Sequence, residues 1–220
     1  MKKFLLVTAV ISALAFNSLQ NKYYILADLA EEKKLKVVNR TVVVQNDSLG
    51  AYIKVSESKA EGIVWLPTKN FKNGIIQITM RGKDVVQRSF LGLVFHGKND
   101  SVYDAVYCRP FNFFAKDSVR RVHAIQYISH PHFTWKKLRD NRNAEFEKEI
   151  TLPPNPNNWF VLKLEINDGT IRAFINQKQK PSLSVSKLTK SKSGKIGIFV
   201  GDDSGGDFRD IIVNENWIKK

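Results

Sequence analysis

A single cysteine, Cys108, stands in the 220 residues, so no intramolecular disulfide is available and cohesion has to come from packing. Long helical periods are missing too: from Val37 onward no stretch longer than about ten residues keeps a 3.6-residue repeat. The apolar run from Phe4 to Phe16 falls short of the roughly 20 residues that a membrane-spanning helix needs. Acidic residues are scarce, 21 against 35 lysines and arginines, which gives a net charge of +14. No phosphate-cradling loop, serine nucleophile elbow or dinucleotide fingerprint occurs, and neither does an internal repeat or a low-complexity stretch. These absences exclude a disulfide scaffold, a helical bundle and the common nucleotide-dependent enzymes.

What is present begins with Lys2 and Lys3 ahead of the Phe4 to Phe16 run, a secretory leader pattern over residues 1–20. That predicts a secreted or periplasmic protein without a transmembrane span once the leader is removed. Residues 21–220 then form one domain, long enough to bury a proper core at 43% hydrophobic and 11% aromatic composition. The cations are scattered rather than blocked, as on a solvated surface, and their excess attracts anionic partners such as an acidic glycan. Nucleic acid suits the charge but not an exported protein, and no nucleic-acid partner is expected.

Short apolar runs separated by turn residues read as strands. Ile76, Ile78 and Met80 alternate with Gln77, Thr79 and Arg81, giving one buried and one wet face. Asn167, Asp168 and Gly169 mark a hairpin turn, since residues that accept positive φ match the twist of tight antiparallel turns. Residues 21–36 are the one segment with a helical look, a lead-in helix. Leu152 to Asn158, with three prolines and three asparagines, is an exposed crossing loop. Many antiparallel strands of uneven spacing predict an all-β fold, a two-sheet antiparallel sandwich of jelly-roll type.

The C-terminal half resembles the concanavalin A-like lectin and glucanase superfamily, and within it the bacterial 3-keto-disaccharide hydrolase domain. The resemblance rests on Trp159 with Leu162, Lys163 and Leu164, the Asp168 and Gly169 turn, and Ile171 to Asn176. It continues through Gly194 to Ile198 and Asp207 to Ile211. Ala124, Ile125, Gln126 and Tyr127 are similar to a strand in which that family carries an acidic residue shortly before the glutamine, a residue this chain lacks. The resemblance implies a sandwich related to laminin G-like domains and a task concerned with sugars.

The segment from Tyr103 to Trp135 concentrates the groups that bind sugars. Aromatic rings meet the apolar face of a pyranose, and arginine, amide and imidazole groups meet its hydroxyls. The expected substrate-binding set is Tyr107, Arg109, Asn112, Gln126, Tyr127, His130, His132 and Trp135, with Arg109, Gln126 and His130 on a concave sheet face. The plainer reading makes Tyr107 and Tyr127 core aromatics with satisfied hydroxyls. His130 and His132 share a strand face, but no third metal ligand is visible.

Glu145, Glu147 and Glu149 alternate, as if along one strand face at intervals of about 7 Å. Paired carboxylates at such separations serve glycosidases, so Glu145 or Glu147 with Asp104 is the candidate catalytic pair; a solvent-facing strand explains the same pattern. Asp202, Asp203 and Asp207 in the glycine-rich loop from Gly201 could gather a structural calcium, or simply cap their own turn. Glycan binding is the leading function expected and glycoside hydrolysis the alternative. A third expectation is a laminin G-like adhesion domain that binds protein or polyanion.

Overall fold

Residues 21–215 are described by a computed structural model, and the leader expected over residues 1–20 lies outside them. The chain runs β1 (Lys22–Tyr24), α1 (Leu26–Glu31), β2 (Lys36–Val38), β3 (Val42–Asp47), β4 (Gly50–Val55), β5 (Gly62–Trp65), β6 (Gly74–Arg81) and β7 (Leu91–Asn99). It continues with β8 (Val102–Cys108), a 3-10 turn at Pro110–Asn112, α2 (Ser118–Val122), β9 (Ile125–His130) and α3 (Trp135–Asn141). The remainder is β10 (Glu147–Lys148), β11 (Phe160–Asn167), β12 (Thr170–Ile175), β13 (Leu183–Ser186), β14 (Lys195–Val200) and β15 (Gly206–Asn214).

Two antiparallel sheets form a sandwich, as the strand pattern requires. One has the order β13-β12-β11-β6-β15-β4-β3 with β1 added against β15, and the other β10-β9-β8-β7-β14-β5-β2. In β6 the buried residues Ile76, Ile78 and Met80 alternate with half-buried Gln77, Thr79 and Arg81. Phe160, Leu162, Leu164 and Ile166 of β11 continue the same inner face, and Leu91, Leu93 and Phe95 of β7 answer from the other sheet. Side chains this completely buried each contribute about 1.5–3 kcal/mol of transfer free energy, which lets a chain without disulfides hold together. The β11–β12 hairpin turns through Asp168 and Gly169, with φ 35° and 109°, between paired Asn167 and Thr170.

Three local expectations are corrected. The lead-in helix is confined to Leu26–Glu31, with short strands on either side. Ser118–Val122 and Trp135–Asn141 are helical, capped by the side chains of Asp117 and Thr134 accepting from Val119 and Lys137. The strand read through Glu145, Glu147 and Glu149 shrinks to Glu147–Lys148, the two residues that pair with β9, and Ala144 just before it takes a left-handed φ of 59°.

Candidate functional site

The two faces of the seven-stranded sheet carry different chemistry, and strand register assigns each residue to one of them. A cross-strand row runs Glu147, Gln126, Tyr107, Gly92, Phe199, Ile63 and Val38 across seven strands. The next row on that face is Ile128, Ala105, Val94, Gly197 and Trp65, and His130 pairs with Tyr103 beyond it. This is the outer face. Asp104, Val106, Tyr127 and Ser129 alternate with those residues and point toward the eight-stranded sheet.

One end of the outer face is a buried polar network. The Tyr107 hydroxyl donates to Gln126 Oε1 at 2.9 Å, and Arg109 Nη2 donates to the Tyr107 oxygen at 2.8 Å and also to Gln126 Oε1. Arg109 Nη1 donates to the His123 carbonyl at 2.7 Å and stands 3.6 Å from Glu147. Glu147 accepts from Arg139 of α3 at 3.2 and 2.9 Å, so the helix folds back over this end of the sheet. His123 Nδ1 lies 2.8 Å from Glu147 Oε2 without hydrogen-bonding alignment. Burial pushes the Tyr107 hydroxyl up to about 12 and pulls the Arg109 guanidinium down. Burial also lowers His123, Glu147 opposes this, and the positive charges of Arg139 and Arg109 reinforce it.

The other end lies about 13 Å away along the strands, four residues at strand spacing. There the Tyr103 and His130 rings stack at 4.9 Å with 8° between planes, and the Tyr103 hydroxyl donates to Glu61 Oε2 at 2.6 Å. His130 Nε2 is 3.6 Å from Glu61 Oε1 and has no hydrogen-bond partner. Between the ends lie apolar Ile128, Ala105 and Val94, flanked by Phe199, whose ring is 5.1 Å from Tyr107 and 6.4 Å from Tyr103. Ile128, Ala105 and Val94 are fully buried, so this strip spaces the two polar ends while the accessible groups lie at the ends. The solvent-facing members are Glu61, His130, His123 and Arg139, while Tyr107, Arg109 and Gln126 hold the frame from beneath.

The structure thus brings Tyr107, Arg109, Gln126 and His130 to one face, and separates them from others in the expected set. Tyr127 points between the sheets, where its hydroxyl donates to Asp104 at 2.8 Å and accepts from the Leu188 amide at 3.2 Å. Asp104 lies there too, beside His96 and Lys187, each 3.6 Å from its Oδ2. Burial alone would raise the Asp104 carboxyl, but His96, Ser129, Lys187 and Tyr127 together hold it below the ordinary carboxylate range. The pairing of Asp104 with Glu145 or Glu147 therefore does not form: Asp104 and Glu147 occupy opposite faces, and exposed Glu145 turns to Arg142 at 2.7 Å. The three glutamates do not share a strand face, and Glu149 lies 3.5 Å from Arg121. Asn112 is buried in the turn after Arg109 and accepts from Arg120 at 3.3 Å, while His132 and Trp135 are exposed beyond β9.

The three carboxylates expected to gather calcium each meet a protein group. Asp202 accepts from the Ala60 amide at 2.6 Å, Asp203 pairs with Lys59 at 2.6 Å, and Asp207 takes both Nε and Nη2 of Arg81. Three carboxylates committed to separate partners do not converge on one cation, and no cluster of metal-ligating residues occurs among the described residues. Glu61, Arg139, Trp65 and Phe199 were not singled out from sequence, for they come from four separate segments and only sheet register and the return of α3 bring them to this face.

No protein-family model and no curated protein matches the chain. Solved structures do. A galectin-like protein of unknown function from Bacillus subtilis superposes with a TM-score of 0.59 at 14% identity, over 88% of this chain and 94% of that one. The exoplasmic domain of VIP36 in its Ca2+-bound form gives 0.59 at 10% identity over 85% of each chain. The carbohydrate-binding module CBM66 from Bacillus subtilis gives 0.56 at 13%, over 80% and 92%. These likenesses establish a galectin-like and lectin-like sandwich, in keeping with a concanavalin A-like fold. No described helix is long and apolar enough to cross a membrane.

Proposed function

We propose that this chain binds glycans on the outer face of its seven-stranded sheet, between the Tyr103–His130–Glu61 end and the His123–Glu147–Arg139 end. The observation that carries the reading is the buried Tyr107–Gln126–Arg109 network, which orders the His123–Glu147–Arg139 end, on the same face as the stacked Tyr103–His130 pair and Glu61. Such an array is preorganised, so a sugar meets donors and acceptors whose ordering cost was met on folding. In direct contact, Glu61 and His130 take hydroxyls at one end and His123 and Arg139 at the other. The fold neighbours support the reading: VIP36 was solved with Man3GlcNAc bound, and CBM66 is a carbohydrate-binding module. The leader pattern of residues 1–20 supports a secreted or periplasmic address, where such ligands are met.

A second reading, turnover of the bound sugar, follows from the resemblance to the 3-keto-disaccharide hydrolase domain. The one observation in its favour is Glu147, a carboxylate 2% exposed at the site. Arg109, Arg139 and His123 around it commit it to structure, so binding ranks first.

A glycan array followed by calorimetry, with product analysis on each bound glycan, tests both. His130→Ala and Glu61→Gln are expected to weaken binding about tenfold or more in a protein that stays folded, each losing about 1 kcal/mol of stability with the Tyr103 stack or hydrogen bond. An array without a ligand removes the proposal, while product formation lost in Glu147→Gln replaces it with the hydrolase.

A further inference from the structure

A second recognition feature lies past the β10 edge of the same sheet. An open cleft of about 410 Å3 is lined by Phe113 to Lys116 and Arg121 on one side and Glu149 to Pro153 on the other. Its volume is that of a small-ligand site. Phe114 is 60% exposed and Leu152 82%, although most large apolar side chains of this protein are buried.

Leu152 holds a left-handed backbone, φ 49°, which a leucine adopts at a cost and keeps only when its surroundings impose it. The Lys178 ammonium braces this turn, donating to the Leu152 carbonyl at 2.7 Å and to the Thr151 carbonyl. Leu152 thus stands exposed at the lip of the cleft on a turn that Lys178 braces.

The charge of the cleft is positive. Arg121 fixes the opposite wall by donating to the Ala115 and Lys116 carbonyls at 3.0 and 2.9 Å, and its Nε lies 3.5 Å from Glu149. Lys116 is exposed. One carboxylate therefore faces two cations, with an exposed phenyl ring beside them. The cleft adjoins the proposed glycan site in the chain: Arg121 of α2 precedes His123 by two residues, and Glu149 follows Glu147 of β10 by two.

We infer that this cleft is an accessory subsite that takes an acidic sugar residue of the bound glycan, its ring against Phe114 and its carboxylate or sulfate toward Lys116 and Arg121. The inference rests on the glycan-binding reading and narrows its ligand class to acidic glycans. Phe114 supplies the apolar surface for the ring, Leu152 and Pro153 close the far side, and Lys116 contributes a salt-sensitive attraction.

The test uses calorimetry on the full chain with four tetrasaccharides: oligogalacturonate, a heparin fragment, mannotetraose and cellotetraose. Acidic probes are expected to bind at least tenfold more tightly than neutral ones, and the preference is expected to shrink as salt is raised. Phe114→Ala and Lys116→Gln, both at exposed positions, should each remove most of that preference and leave neutral binding unchanged. The oligogalacturonate and heparin arms tell a carboxylate from a sulfate. Neutral binding with no acidic preference, or a preference untouched by both variants, overturns the subsite and leaves the main site standing. If neutral and acidic probes alike fail to bind, both readings fall.

Discussion

Tyr103 and His130 face each other across the β8–β9 ladder with their rings 4.9 Å apart and nearly parallel, and the Tyr103 hydroxyl donates a hydrogen bond to Glu61 at 2.6 Å. A stacked pair of this kind contributes about 0.5–1.5 kcal/mol beyond the area it buries. It also fixes Glu61, which arrives from the loop before β5, at the mouth of the site.

Tyr103→Phe keeps the stack and removes the hydroxyl. The expected outcome is a loss of roughly 1 kcal/mol in stability and a several-fold loss in glycan affinity, as Glu61 becomes free to move. Paired urea titrations and calorimetry check this; an unchanged affinity would detach Glu61 from binding.

Glu147→Gln strips a buried carboxylate from Arg109, which is itself 5% exposed. Breaking a buried ion pair from one side costs about 3–5 kcal/mol, so a large drop in the urea midpoint is expected. Glu145→Gln is the control. Its pair with Arg142 is 53% and 44% exposed and should be worth no more than about 0.5 kcal/mol.

Acid should destabilise the protein in two stages of the same sign. His123, lowered in the folded state, takes up its proton more readily when unfolded, so stability falls as pH drops below 6.5 toward the folded value. Asp104, also lowered, contributes stability above the unfolded value near 3.8 and loses it as pH falls through the folded one. Melting temperature followed from pH 8 to 2 should show the upper stage vanish in His123→Gln and the lower one weaken in Asp104→Asn. A flat profile just below pH 6.5 in the parent protein would count against the His123 environment described here.

Cys108 is fully buried, and burial pushes its thiol well above the ordinary range, with Arg109 opposing. A thiol reagent should leave the folded protein unlabelled at pH 8 and label it fully in denaturant. Fast labelling of the native protein would mean that this end of β8 opens.

Trp159→Ala separates stability from binding. The indole lies within 4.5 Å of Arg81 and 4.4 Å of Arg209 on the eight-stranded sheet and donates to Asp47 at 3.2 Å, tying the β3–β4 hairpin to β11. A loss of about 1–3 kcal/mol is expected, with glycan affinity unchanged because the proposed site is on the other sheet.

The fold was legible where a local rule settled it. The alternation of Ile76, Ile78 and Met80 placed an inner face, and the Asp168–Gly169 turn placed a hairpin, because both depend only on neighbours in the chain. The α3 helix was missed because its seven residues carry one buried side chain, Leu138, too few for a periodic signal. The Glu145 to Glu149 pattern misled for a related reason: two-residue alternation describes a strand only where a partner strand exists to pair with it.

The candidate site was half legible. Tyr107, Arg109, Gln126 and His130 were visible as a cluster of sugar-binding chemistry in one segment, and β8 and β9 pair directly. Tyr127 and Asp104 belonged to the same segment, and period-two geometry sends them to the opposite face once the register is known. The amino-acid sequence by itself determined the strand pattern, the absence of disulfides and the surplus of positive charge, which are properties of composition and near neighbours. Which face Asp104 takes, that Glu61 and Arg139 join the site, and that Lys178 braces the Leu152 turn at a cleft were decided only by the tertiary structure. Those relationships span tens of residues, and the pairing of distant strands, not any local preference, brings such groups together.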